Sequence, residues 1–211
     1  MDTTLRDGEQ TSGMSFSEYE KLTISKLLLK DLMVDRIEVA SARVSSGEFN
    51  AVKKILDWAK KENLENKIEI LTFIDDGISL DWMNKSGAKV QNLLSKGSLN
   101  HLKYQLKKTP QQHFNDVEKI IEIANKNKIE TNIYLEDWSN GMKNSKDYVF
   151  SFLNSLEKMP IKRVLLPDTL GVLNPEDAYN YLNEIILKYP NIHFDFHAHN
   201  DYDLSVANTL E

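Results

Sequence analysis

Asp2-Thr3-Thr4-Leu5-Arg6-Asp7-Gly8-Glu9-Gln10 opens the chain, and its reading decides between the two folds that the rest of the pattern allows. Beyond it, short β-rich runs at residues 34–40, 68–74, 88–94, 129–135, 161–166 and 192–196 alternate with longer helical patterns. Ser17-x-x-Glu20 has the form of a capping box before a helix with Leu22, Leu29 and Leu32 on one stripe and Leu28 beside it. Val52, Ile55, Leu56 and Ala59 mark the inner face of another helix. Val117, Ile120, Ile121 and Ala124 mark a third, led by Pro110, and residues 147–158 read as a fourth. Pro175 suits a first helical turn that Asn174 caps. Counting the opening residues as a strand, about seven strands are each followed by helix, the repetition of a parallel α/β protein. An open doubly wound sheet binds its ligand through a Gly-rich turn after the first strand, and Arg6-Asp7-Gly8-Glu9 is no such turn. Candidate chemical residues recur instead at the carboxyl ends of several strands: Asp7, Glu38, Glu136, Asp168, His197 and His199. That distribution predicts a (β/α)₈ TIM barrel, incomplete because the eighth strand is missing. Residues 1–211 are expected to form a single catalytic domain, cut on the C-terminal side and at the N-terminus.

With 211 residues, 41% of them hydrophobic and 27% charged, the composition is that of an ordinary globular protein with a full core. No apolar run is long enough to span a bilayer, and the opening residues do not read as a charged-then-apolar leader. The absence of cysteine excludes disulfides and thiolate metal sites and favours a cytoplasmic location. A formal charge of −6 argues against nucleic-acid partners, and no membrane partner is expected.

The chemistry gathers at the two ends. In Asp195-Phe196-His197-Ala198-His199, strand alternation puts both imidazoles on one face, where they can grip one ion. Alone, the pair also fits two polar residues at a solvated strand end. Joined to Asp7, two histidines and a carboxylate with open positions make a catalytic metal site for magnesium, manganese, zinc or iron(II). Arg6 offers a fixed positive charge over a developing oxyanion, or a salt bridge to Glu9, Asp7 or Glu38. Glu38, between Ile37 and Val39, faces the barrel interior, and a buried carboxylate there needs Arg6 as its partner. Glu136 ends a strand whose inward set is Asn132, Tyr134 and Glu136, where it assists proton transfer or orders water. In Pro167-Asp168-Thr169-Leu170-Gly171, Thr169 can bind a substrate carboxylate, or Asp168 and Thr169 only close the turn. Lys96, Lys103, Lys107 and Lys108 make a local basic cluster that could meet phosphates, and a solvated helix face is the favoured account.

The opening nonapeptide and His197-Ala198-His199-Asn200-Asp201 resemble the two signatures of the 2-isopropylmalate, homocitrate and citramalate synthases. These belong to the DRE-TIM metallolyase superfamily, and their barrel is the pyruvate carboxyltransferase-like domain. Ile37-Glu38-Val39-Ala40-Ser41 and Leu166-Pro167-Asp168-Thr169-Leu170-Gly171 match between them. The resemblance implies metal ligation by Asp7, His197 and His199, with Arg6, Glu38 and Glu136 catalytic. It implies that Gln10 lies near the substrate and Thr169 holds the oxo-acid carboxylate. The implied reaction is a metal-dependent Claisen-type condensation of acetyl-CoA with a 2-oxo acid in amino-acid biosynthesis, nearest the 2-isopropylmalate synthase of the leucine pathway. A homodimer is the expected assembly. The segment Asn92–Ser98 departs from the family pattern, which carries a histidine motif there, and Tyr134 and Trp138 stand where smaller residues are usual. Two other readings use the same residues. One is a carbon–carbon lyase or aldolase such as a hydroxymethylglutaryl-CoA lyase, and the other is a binding module without catalysis.

Overall fold

The computed structural model describes residues 1–211. Its strands are β1 (Ile37–Ser41), β2 (Ile68–Thr72), β3 (Val90–Lys96), β4 (Glu130–Glu136), β5 (Arg163–Asp168) and β6 (His193–Ala198). Between and around them run α1 (Glu18–Lys26), α2 (Ser46–Lys61), α3 (Ile78–Ser86), the single turn α4 (Leu99–His101) and α5 (Pro110–Lys126). The later helices are α6 (Trp138–Asn144), α7 (Lys146–Leu156), α8 (Pro175–Lys188) and α9 (Ser205–Leu210). The pairings β1–β2, β2–β3, β4–β5 and β5–β6 are all parallel, so the expected strand–helix repetition is present. A seventh strand at the opening is not formed. Asp2 makes one parallel bridge to Ile37, and its carboxylate then accepts the Thr4 amide at 3.0 Å, which bends the chain into a turn at once. The sequence also left α3 and α6 unread. Gly77 and Gly87, at φ 94° and 86°, bracket α3, whose inward residues include Ser79 and Ser86 and so leave no clean apolar stripe.

The chain forms two compact units, Met1–Leu93 with Ile123–Glu130, and Leu94–Glu122 with Thr131–Glu211. In the first, β1 and β2 are buried almost throughout, as two-sided parallel strands are. Ile37, Val39, Ile68 and Ile70 are buried in the core, as are Val52, Ile55, Leu56 and Ala59 of α2, and each buried branched side chain contributes roughly 1.5–3 kcal/mol. The Ser17–Glu20 capping box is formed as expected. Of the expected apolar stripe, Leu28 and Leu29 are buried just past the end of α1, but the inward face of α1 itself is polar. Lys21 and Ser25 are fully buried, while Leu32 is 69% exposed, because the Lys21 ammonium meets acceptors from the opening turn and β1.

In the second unit, Ile133 and Leu135 of β4 and Val164, Leu165 and Leu166 of β5 are buried with Val149, Phe152, Leu153 and Leu156 of α7. Asn174 caps α8 by accepting the Asp177 amide at 2.8 Å, with Pro175 in the first turn. The β5–β6 register sets Pro167 beside His197 and Asp168 beside Ala198, so the loops after these strands leave from the same end. Strand β6 is only half-buried along most of its length.

Candidate active site

The opening turn is built to present two side chains. The amides of Arg6, Asp7 and Gly8 all donate to the Thr3 carbonyl, at 3.1, 2.8 and 3.2 Å, and Leu5 is fully buried beneath them. Arg6 and Asp7 are thereby held on a tight loop rather than on a strand end. Arg6 Nε donates to Glu38 Oε2, and Arg6 Nη1 donates to Asp7 Oδ1 at 2.7 Å. Glu38 is completely buried between Ile37 and Val39, and its other oxygen accepts from Asn92 Nδ2 at 2.7 Å. A buried carboxylate is costly without partners. Here both oxygens are satisfied, and the arginine is locked in orientation as a result. The expected Arg6–Glu38 pair is therefore present and extends to Asp7, while Glu9 pairs with Lys21 instead. Gln10 lines a cavity of about 300 Å³ together with Arg6, Glu9, Ser41 and Ser45, a position suited to touching a small ligand beside the guanidinium.

In the second unit the rings of His197 and His199 lie nearly parallel, with centroids 4.9 Å apart and planes 12° apart. His197 is on β6 and His199 lies one residue past its end. Tyr134 packs its edge against His197 at 6.1 Å. Asp195, two residues earlier, is drawn elsewhere: it pairs with Arg163 and with His193 at 3.0 Å. The loop after β5 divides its two candidates. Asp168 is fully buried and accepts from Ser139 Oγ at 2.6 Å and from the amides of Val172 and Leu173 at 3.0 Å each. Its role is to close the turn. Thr169 Oγ1 accepts the Asp137 amide at 2.8 Å, which leaves the hydroxyl proton to donate. Gly171, at φ 57°, has no room for a side chain, since a Cβ there would sit 2.9 Å from the Asp201 amide and 3.0 Å from the His199 carbonyl.

Glu136 is more elaborately surrounded than its sequence suggested. Lys96, at the end of β3, pairs with it directly, and His101 Nδ1 lies 4.0 Å from its Oε1. His101 Nε2 is also 3.5 Å from Asp137, whose carboxylate accepts from Ser98 Oγ at 2.5 Å. An imidazole three residues beyond Ser98 thus borders the Glu136–Asp137 pair. Lys96 is fixed at both backbone groups. Its amide donates to His113 Nε2 at 3.2 Å, and its carbonyl accepts from Tyr148 Oη at 2.7 Å. Burial, helped by the nearby Lys108 charge, pushes the His113 pKa down to about 4, so this ring is a neutral acceptor in the core. Burial likewise raises the Tyr148 phenol. The lysines read as one helix face separate. Lys96 belongs to Glu136, Lys108 pairs with Asp116 at 2.6 Å, and Lys103 lies over the Tyr104 ring. The signal that could have found Lys96 and His101 was their position just past an apolar strand, the place where barrel chemistry sits.

Solved structures similar in shape are TIM barrels. The hydroxymethylglutaryl-CoA lyase of Pseudomonas aeruginosa superposes with a TM-score of 0.76 at 16% identity, over 100% of this chain and 70% of that one. A lyase from Acinetobacter baumannii, solved with coenzyme A and 3-methylmalate, gives 0.71 at 22% identity over 99% and 68%. The HMGL-like family model matches residues 1–211, and the chain belongs to that family. Among curated relatives, the (R)-citramalate synthase of Methanocaldococcus jannaschii is 33% identical over 99% of this chain and 40% of its own length. A probable 2-isopropylmalate synthase of Ignicoccus hospitalis is 33% identical over 99% and 50%. The chain therefore spans about half or less of the curated relatives it matches. No helix is long and apolar enough to cross a membrane.

Proposed function

We propose that this chain carries the catalytic machinery of an acyl-transferring synthase, which condenses acetyl-CoA with a 2-oxo acid in the manner of the 2-isopropylmalate synthases. The observation that carries the reading is the Arg6 guanidinium, fixed by buried Glu38 and placed 2.7 Å from Asp7. It is a rigid cation set beside a carboxylate. We assign Asp7, His197 and His199, one carboxylate and two imidazoles, as the ligands of a divalent ion. The donor set fits: two imidazoles and one carboxylate suit magnesium, manganese or zinc and leave positions for substrate. Such an ion supplies Lewis-acid polarisation of a chelated carbonyl.

The chain's own residues then have separate tasks. Arg6 steadies negative charge on an oxygen of the substrate, and Glu38 keeps the guanidinium from turning away. Thr169 donates its hydroxyl proton to the oxo-acid carboxylate, and Gln10 contacts the substrate from the cavity it lines. Glu136, held by Lys96, moves the proton that must leave the acetyl methyl group, and water then hydrolyses the thioester of the condensed product to release the CoA thiol. Support for the acyl-transfer class comes from the synthases among the relatives. A lyase reading is favoured by one observation, the likeness of fold to hydroxymethylglutaryl-CoA lyases.

The test is thiol release from acetyl-CoA by the full-length protein, with pyruvate, 2-oxoisovalerate or 2-oxoglutarate and magnesium, manganese or zinc. Release that depends on one oxo acid and one ion supports the synthase. Cleavage of a hydroxyacyl-CoA without added oxo acid, and no release in the first assay, replaces it with the lyase.

A further inference from the structure

Lys21 has a place in the first unit that neither the motifs nor the proposed chemistry explains. It is fully buried on α1, although lysine is among the residues least often buried without a partner. Its ammonium lies 3.1 Å from the Leu5 carbonyl and 3.2 Å from the Val39 carbonyl. It also lies 2.7 Å from Glu9 and 2.6 Å from Glu48. Leu5 immediately precedes Arg6, and Val39 immediately follows Glu38. One cation therefore holds both backbone segments from which the Arg6–Glu38 pair springs.

We propose that Lys21 is a positioning residue: by bridging the Leu5 and Val39 carbonyls it fixes the Arg6–Glu38 pair and, through Arg6, the carboxylate of Asp7. The inference rests on the reading of Asp7 as a metal ligand. Two carbonyls, each lacking this donor, would be left to find other partners in a site with little water, and the opening turn would be free to move against β1. The two carboxylates balance the buried charge. Burial pushes Glu48 up while Lys21 draws it back down, so Glu48 answers to this cation. Displacements of about 1 Å in such a support are enough to cost a site much of its effect.

The experiment titrates Mn²⁺ into the full-length protein by calorimetry and pairs each affinity with a melting temperature. Wild type should bind, Asp7→Ala should not, and Lys21→Met should bind at least tenfold more weakly. Val52→Ala, a core truncation on α2 away from the ligands, should lower the melting temperature yet bind within twofold of wild type. In the thiol-release assay Lys21→Met should lower kcat at least tenfold and move KM for acetyl-CoA less than threefold. Lys21→Met that binds Mn²⁺ as wild type does, with Asp7→Ala still inactive in binding, overturns the role of Lys21 and leaves the metal reading standing. No Mn²⁺ binding by wild type overturns both. If Lys21→Met fails to fold, Lys21→Arg takes its place, because it keeps the charge and displaces the head. A folded Lys21→Arg with tenfold weaker binding supports the proposal, while unaltered binding, or failure of both variants to fold, counts against it.

Discussion

Each unit of the molecule contains a strand carboxylate bound to an arginine, and in both pairs the partners are 32 residues apart. In the first unit Glu38 of β1 is completely hidden, its neighbours Ile37 and Val39 are hidden with it, and its arginine passes the interaction on to Asp7. In the second unit Asp195 of β6 is 25% exposed at its side chain, and its arginine comes from the adjacent strand at the far end from the loops. The same chemical pair thus serves two purposes. Deep burial turns one into a platform that aims a charge at the strand ends. Partial exposure leaves the other as a tie between two strands, where water shares the work.

The sharpest way to break this division is on β6 itself. His197→Ala should remove a ligand and lower thiol release about 1000-fold, since several kcal/mol of charge stabilisation go with it. Asp195→Asn, two residues away on the same strand, should leave turnover within about threefold. Steady-state rates of the two variants decide it. Equal losses would mean that the strand tie and the proposed ligand are one functional unit.

Stability offers the second comparison. Glu38→Gln leaves Arg6 without its buried counter-charge and should cost roughly 3–5 kcal/mol in urea unfolding. Asp195→Asn should cost about 1 kcal/mol or less, as for a partly exposed pair. A small cost for Glu38→Gln would show that water already reaches the Arg6 platform.

These contrasts also explain what could be read from the sequence. The β-rich runs sit where apolar residues bounded by turn signals place them, because a parallel strand buried on both faces announces itself by composition. The Arg6–Glu38 pair was legible for the same reason. A charge flanked by Ile37 and Val39 has to be buried, and few cations were in a position to meet it. Lys21, Lys96 and His101 were not legible. The partners of Lys21 include backbone carbonyls, which carry no residue signature, and its neighbours on α1 suggested that Leu22 and Leu32 faced inward. Lys96 and His101 depend on where β3 ends, and strand ends are the part of an element that pattern defines least. The opening strand failed because the Asp2 side chain competes with the ladder for the Thr4 amide.

A third comparison uses acid. In the second unit His113 is buried and neutral, with its pKa pushed down to about 4 from 6.5. Below pH 6.5 the unfolded chain binds this proton and the folded chain does not. Stability is therefore lost as pH falls from about 6.5 to about 4, by about 3 kcal/mol in all. His113→Gln, which keeps an acceptor for the Lys96 amide, should flatten that slope in unfolding measured between pH 7 and pH 4.5. An unchanged slope would show that protonation of His113 does not set the acid sensitivity.

The smallest effect is the most discriminating. Ser17 caps α1 in the first unit, and Asn174 caps α8 in the second. Replacing either by alanine removes one cap and should cost about 1 kcal/mol of stability. The two helices differ in what they carry. Lys21 donates its amide to the Ser17 carbonyl, so fraying of this turn loosens the ammonium that holds the Arg6 and Glu38 segments. Ser17→Ala should therefore weaken Mn²⁺ binding by about two- to fivefold, while Asn174→Ala at equal loss of stability leaves it unchanged. Equal binding by both variants would show that α1 supports the opening turn only as bulk, and that the bridge from Lys21 does not transmit the position of the helix to Asp7.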